Sequence, residues 1–220
     1  MLRPKYPDRW DTEDQQARLR AELAYLRHLR GAKLESSDDL LRYFAFDFFH
    51  DGEIAEITFS PDLRTLEWRI QTTWLQPKDT RRRKARGYSW GWFRCSFEDV
   101  VWFASGAERV DRLNDPLARR GSRTTLLSSE IETLDNELTF FRHNFRSYLR
   151  ARAATLHSLL IDLEPSQGRL AIIFRHLSVL PEEPLAWEQV VSSGEYDIPW
   201  CEPPGARLAA AIAEATKQIK

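Results

Sequence analysis

Apolar and polar side chains alternate most regularly between Glu53 and Trp74. Leu66, Trp68, Ile70, Thr72 and Trp74 occupy one side of a two-residue repeat, and Glu67, Arg69, Gln71 and Thr73 the other. Successive side chains of a strand point to opposite faces, so this spacing predicts a half-buried strand. Ser60-Pro61-Asp62-Leu63 separates it from a shorter apolar run with Ile57 and Phe59, which predicts a β-hairpin. Tyr88, Trp90 and Trp92 alternate again, and Phe97 to Phe103 continues as strand. Leu126 to Leu134 adds another strand. Thr155, His157, Leu159, Ile161 and Leu163 alternate, as do Leu170, Ile172, Phe174 and His176, and Pro165-Ser166-Gln167-Gly168 joins them as a second hairpin.

Helical spacing frames these strands. Residues 1–10 read as an irregular arm with Trp10 as an anchor. Thr12 followed by Gln15 has the form of a capping box, and Leu19, Leu23 and Leu26, widened by Tyr25 and Leu29, make an apolar stripe up to Gly31. This predicts a helix over 11–31. Ser36 or Ser37 caps a short helix that leads through Phe44 into the aromatic run Tyr43 to Asp51. Arg142, Arg146 and Arg150 recur every four residues, which favours a helix with a basic stripe over 140–152, with strand as the alternative. Pro184 opens a helix through Val191, and an alanine-rich helix follows Gly205.

The polar stretch 104–124 is the best place to divide the chain into halves, 32–105 and 125–200, within one compact fold over 1–220. The halves echo one another in two registers. One sets Ile57, Phe59, Leu66 and Trp68 against Ile161, Leu163, Leu170 and Ile172. The other sets Phe97, Val100 and Trp102 against Phe174, Leu177 and Val179. The expected class is α+β: an N-terminal helix, two antiparallel hairpin-based units packed as a sheet or sandwich, and a short C-terminal helix.

Composition narrows the picture. A chain of 220 residues with 42% hydrophobic and 12% aromatic side chains, eight of them tryptophan, is not globally disordered. Its 32 basic and 33 acidic side chains nearly cancel, so only local charge can point to a partner. Cys95 and Cys201 have no C-x-x-C spacing, the first residues contain no apolar core like that of a signal peptide, and no long apolar run predicts a membrane helix. The expected location is therefore the cytoplasm. Nothing in the pattern selects an oligomeric state.

Two clusters carry candidate chemistry. Asp47, His50, Asp51 and Glu53 set a histidine among carboxylates, as a divalent metal site or a general base requires. The alternative is a polar turn into the first strand. Arg81, Arg82, Arg83, Lys84 and Arg86 precede Trp90 and Trp92. Basic side chains beside aromatic faces suit single-stranded nucleic acid over residues 78–94, or an acidic protein surface. Buried tryptophans beneath a solvated loop are the plainer reading. Serine elbows and glycine-rich phosphate cradles of the common kinds are absent, and no cofactor is expected.

Phe49-His50-Asp51 followed by a hairpin, and Leu156-His157-Ser158 followed by Leu170 to Val179, resemble a pattern in small uncharacterised bacterial proteins. Some of these are encoded near polymorphic toxins and are thought to act as immunity proteins. The resemblance implies no catalytic residues. The functional expectation is a non-catalytic module that binds another protein, with single-stranded nucleic-acid binding and metal-dependent hydrolysis as the alternatives.

Overall fold

A computed structural model describes residues 3–32, 34, 38–46, 48–72, 75, 91–106, 124–144, 156–164, 168–196 and 204–219. The fold is α+β. The described helices are α1 (Asp8–Asp11), α2 (Gln15–Gly31), α3 (Asp38–Phe44), α4 (Asp135–Asn144), α5 (Pro184–Ser193) and α6 (Pro204–Gln218). The strands are β1 (Gly52–Phe59), β2 (Leu66–Gln71), β3 (Trp92–Glu98), β4 (Trp102–Gly106), β5 (Thr124–Ile131), β6 (His157–Glu164), β7 (Gly168–Phe174) and β8 (His176–Pro181).

All eight strands join one antiparallel sheet in the order β4-β7-β6-β5-β1-β2-β3-β8. Each half of the sequence forms a three-stranded meander and sends its fourth strand to the other. Thus β4 pairs with β7, and β8 pairs with β3. In this order β3–β4 corresponds to β7–β8, which is the Phe97–Phe174 register of the sequence echo. The alternative register instead sets β1–β2 against β6–β7.

The strand expected to run unbroken from Phe97 to Phe103 bends at Asp99. Glu98 pairs with His176 and Trp102 with Ile173, so Asp99, Val100 and Val101 stand opposite only Phe174 and Arg175. One extra residue on one strand is a β-bulge. Asp99 absorbs it at φ 49°, in the left-handed region that aspartate tolerates better than most residues. Hydrogen bonds from Arg175 N to Glu98 O (3.0 Å) and from Val101 N to Ile173 O (2.9 Å) carry the ladder through the bend. Because β3 continues into β4 and β7 into β8, the pairings return to their starting point as a closed circuit.

The alternation places Leu66, Trp68 and Ile70 of β2, Phe93 and Phe97 of β3, and Ile161 and Ile172 of β6 and β7 on the inner face, all buried. They form one core with Tyr25 and Leu29 of α2, Leu40 and Phe44 of α3, and Ile212 of α6. Phe93 lies at the centre of an aromatic cluster, with ring centroids 5.7 Å from Phe49, 5.8 Å from Phe48 and 5.2 Å from Trp187. Such pairs contribute about 0.5–1.5 kcal/mol each beyond simple burial. A smaller core covers the opposite face of β6 and β7, where Leu138 of α4 packs on Leu160, Ala171 and Ile173. Ile57 and Phe59 share the inner side of β1 but remain 39% and 38% exposed. Beyond an irregularity at Ala55, the described ladder joins that half of β1 to β2 alone.

Helix starts required two corrections. Asp14, rather than Thr12, caps α2, its carboxylate accepting from Gln16 N (2.8 Å) and Ala17 N (3.2 Å). Thr12 Oγ1 accepts from Asp14 N instead, two residues too early to cap the helix. The arm expected to be irregular contains α1. Pro184 starts α5 as expected, while Ser36 and Ser37 lie outside the described residues.

The bulge makes a specific electrostatic prediction. Burial opposes the charge on Asp99, but hydrogen bonds from Arg64 (2.5 Å) and Arg175 (3.2 Å) outweigh it and hold its carboxyl below the usual range. A lowered folded pKa gives stability that is complete above the unfolded value near 4 and is lost as pH falls through the folded value. Asp99→Asn keeps the left-handed backbone and removes the ion pairs. Urea titrations at neutral pH are expected to give a loss of about 1 kcal/mol, and that difference should shrink as pH falls below about 4.

Candidate functional site

The outer face of β2, β3 and β8 carries Arg69, Trp92, Arg94 and Leu180, each half-buried or exposed. The pairing register sets Arg69 opposite Arg94 and Arg94 opposite Leu180, with Gln71 opposite Trp92. Two arginines directly opposed would repel. Arg69 is neutralised by a two-pronged ion pair with Glu182, Nε to Oε1 at 2.8 Å and Nη2 to Oε2 at 2.9 Å. Its guanidinium carbon lies 4.4 Å from the Trp92 ring centroid, and Glu182 N donates to Trp92 O at 2.8 Å. Hydrogen bonding to Arg69 holds the Glu182 carboxyl below its usual range, and Glu182 in turn raises Arg69. Arg94 is held more loosely, 3.8 Å from Glu67 and 58% exposed, and Leu180 is 64% exposed. The face thus combines a fixed arginine–tryptophan stack with an available cation and an exposed apolar side chain.

Of the expected basic and aromatic cluster, the structure places Trp92 on this face. Arg81, Arg82, Arg83, Lys84, Arg86 and Trp90 lie outside the described residues, between Leu75 and Gly91. Asp47 of the other cluster is also outside them. His50 and Asp51 sit in an exposed turn, with His50 Nδ1 donating to Leu127 O and Asp51 N donating to Leu126 O at 2.8 Å. Gly52 N closes the turn onto Phe49 O at 2.7 Å, with Asp51 at φ 59°. His50 Nε2 lies 3.8 Å from Asp51 Oδ1, beyond hydrogen-bond length. Among the described residues, no three His, Cys, Asp or Glu side chains stand together as metal ligands.

Pattern reading missed a buried polar centre beneath α2. Glu130, fully buried, accepts from the backbone N–H groups of Lys5 (2.8 Å) and Tyr6 (3.0 Å), fixing the N-terminal arm. Arg9 is buried over the Tyr25 ring, donating to Glu22 (2.7 Å) and to Ser129 O (3.1 Å). Glu132 adopts φ 57°. Its Oε1 accepts from Ser158 N and His157 Nδ1, each at 3.1 Å, and its carbonyl accepts from His28 Nε2 at 2.8 Å. The available signal was two glutamates within the apolar run Leu126 to Leu134 and a histidine at an inward position of β6. Buried carboxylates require such partners, and here they serve as braces.

No family model matches the chain, and no curated protein matches it. Among solved structures it is similar to the crystal structure of an uncharacterized protein from Neisseria gonorrhoeae. That chain is 14% identical, the match covers 60% of this chain and 93% of that one, and the TM-score is 0.31. The likeness is too slight to carry an argument about fold or function.

Gly52 is where the turn meets the sheet. A Cβ there would stand 2.6 Å from Phe49 O and 2.8 Å from Gln71 O, both backbone atoms that cannot move aside cheaply. Gly52→Ala is expected to cost about 2 kcal/mol or more in urea denaturation. Gly31→Ala, with open space around it at the end of α2, should be neutral or slightly stabilising.

Proposed function

We propose that the protein is a non-catalytic, cytoplasmic protein-binding module. It receives an acidic partner surface on the outer face of β2, β3 and β8. The observation that supports this reading is the Arg69–Trp92–Glu182 arrangement, which fixes a tryptophan beside the exposed Arg94 and Leu180. Tryptophan and arginine are the residues most enriched where binding energy concentrates, and a pre-ordered stack loses little entropy on association. The strongly basic segment 78–86 leads in sequence toward Trp92 and adds charge of the sign such a partner would require. Cys95, buried and with its thiol pushed far up by burial, suits a compartment where thiols stay reduced. No helix among the described residues is long and apolar enough to cross a membrane. An immunity-like role, which the sequence resemblance implies, would operate through such a face.

Capture from nuclease-treated native lysate tests the reading by comparing variants. A protein retained by the wild type should bind at least about tenfold more weakly to Trp92→Ala, to Arg94→Glu and to the Arg81→Glu, Arg82→Glu, Arg83→Glu triple variant, each with an unchanged circular dichroism spectrum. Equal retention by all of them would remove this face from the function. Material lost on nuclease treatment would assign the basic segment to nucleic acid instead.

A further inference from the structure

A cleft of about 680 Å³ opens between the end of α2 and α4, within the size range of small-molecule sites. Arg27 and His28 line one wall, Thr139 and Arg142 the other, and Glu132 and Asp135 also border it. The acids are already neutralised. Asp135 accepts from Lys5 Nζ at 2.5 Å, and Glu132 is held by His157, Ser158 N and Arg142.

The cations keep donors to spare. Arg142 uses a single nitrogen, Nη2, to reach Leu156 O at 2.8 Å and Glu132 Oε2 at 3.5 Å. Among the described residues its Nε and Nη1 have no protein partner, which leaves N–H donors of an anchored guanidinium available. Arg27 has no ion-pair partner among the described residues. His28 donates through Nε2 to the Glu132 carbonyl, so its Nδ1 presents a lone pair when the ring is neutral and a second donor when it is charged. Glu132, bordering the cleft, also has the left-handed backbone at φ 57°, a conformation that non-glycine residues keep where surrounding structure imposes it.

We propose that this cleft binds a small molecule bearing an oxyanion, a carboxylate or a phosphate, between Arg27 and Arg142. Arg142 supplies a pre-oriented guanidinium held from behind, Arg27 closes on the anion from α2, and His28 and Thr139 offer polar contacts to the rest of the ligand. An arginine anchored through one nitrogen keeps the planar geometry that suits carboxylate and phosphate groups. The proposal concerns α2 and α4 and stands apart from the binding face around Trp92.

The test is NMR titration of the full chain, following the arginine Nε–H and His28 ring signals, with sodium phosphate and sodium succinate at constant ionic strength. Saturable shifts at Arg142 and His28 in the millimolar range or below are expected, and the anion that saturates identifies the phosphate or carboxylate class. Arg27→Ala should weaken that binding roughly tenfold, the loss of one charge-assisted hydrogen bond, whereas Arg30→Ala on the same helix should leave it unchanged. The proposal is overturned if neither anion saturates at these signals, or if Arg30→Ala weakens binding as much as Arg27→Ala.

Discussion

Everything in this fold depends on one antiparallel ladder being long enough to serve two meanders. Backbone donors and acceptors at a strand edge must find partners, and an open edge invites pairing with other chains. Here β3–β4 lies against β8–β7 along its length, and each half of the ladder completes the meander of the other half of the chain. Straight strands could not do this. The extra residue at Asp99 bends the ladder, and Arg64 and Arg175 neutralise the carboxylate that the bend brings between them. At the terminal strand β8, Asp39 accepts from Val179 N at 2.9 Å, so a side chain partners an edge amide. Packing follows from this frame: Phe97 meets Phe174 across the bend with centroids 5.0 Å apart, within the one core that both meanders share.

The second constraint is polar. Glu130, Glu132, His157 and Arg9 are buried where the N-terminal arm, α2 and β5 meet. Removing a single partner from such a group leaves a buried charge or donor unmatched, which costs more than the bond contributes. These residues therefore fix where the arm and α2 sit relative to the sheet. That placement brings Arg27 and His28 opposite α4, just as the strand register brings Arg69 over Trp92. Both surfaces are consequences of how buried groups were satisfied elsewhere.

The sequence made the period-two strands legible because burial follows alternation directly, as in Leu66, Trp68 and Ile70. The class, the hairpins, the Pro184 helix start and the end of α2 at Gly31 could be read in the same way. The exchange of β4 and β8 could not, since pairing partners far apart in sequence leave no local pattern. Asp99 and Glu132 were invisible for a related reason: a positive φ at a non-glycine residue is imposed by tertiary structure. The polar centre was partly legible, in glutamates placed where a strand should be apolar. Trp92 was singled out for its aromatic face, but its partners Arg69 and Glu182 emerge only from the register across β2, β3 and β8.

The exchanged strands also set a schedule for the growing chain. Phe93, Cys95 and Phe97 are synthesised roughly 80 residues before Leu177 and Val179, the β8 residues beside them on the inner face, and translation proceeds at about 5–20 residues per second. For several seconds β3 therefore has β2 on one side and no native strand on the other, and Phe93 and Phe97 await Trp187 and Phe174. Topologies rich in such distant pairings fold slowly once complete. A nascent chain of this design is exposed to off-pathway association during that interval, so chaperone access during synthesis becomes as relevant to its yield as the stability of the finished fold.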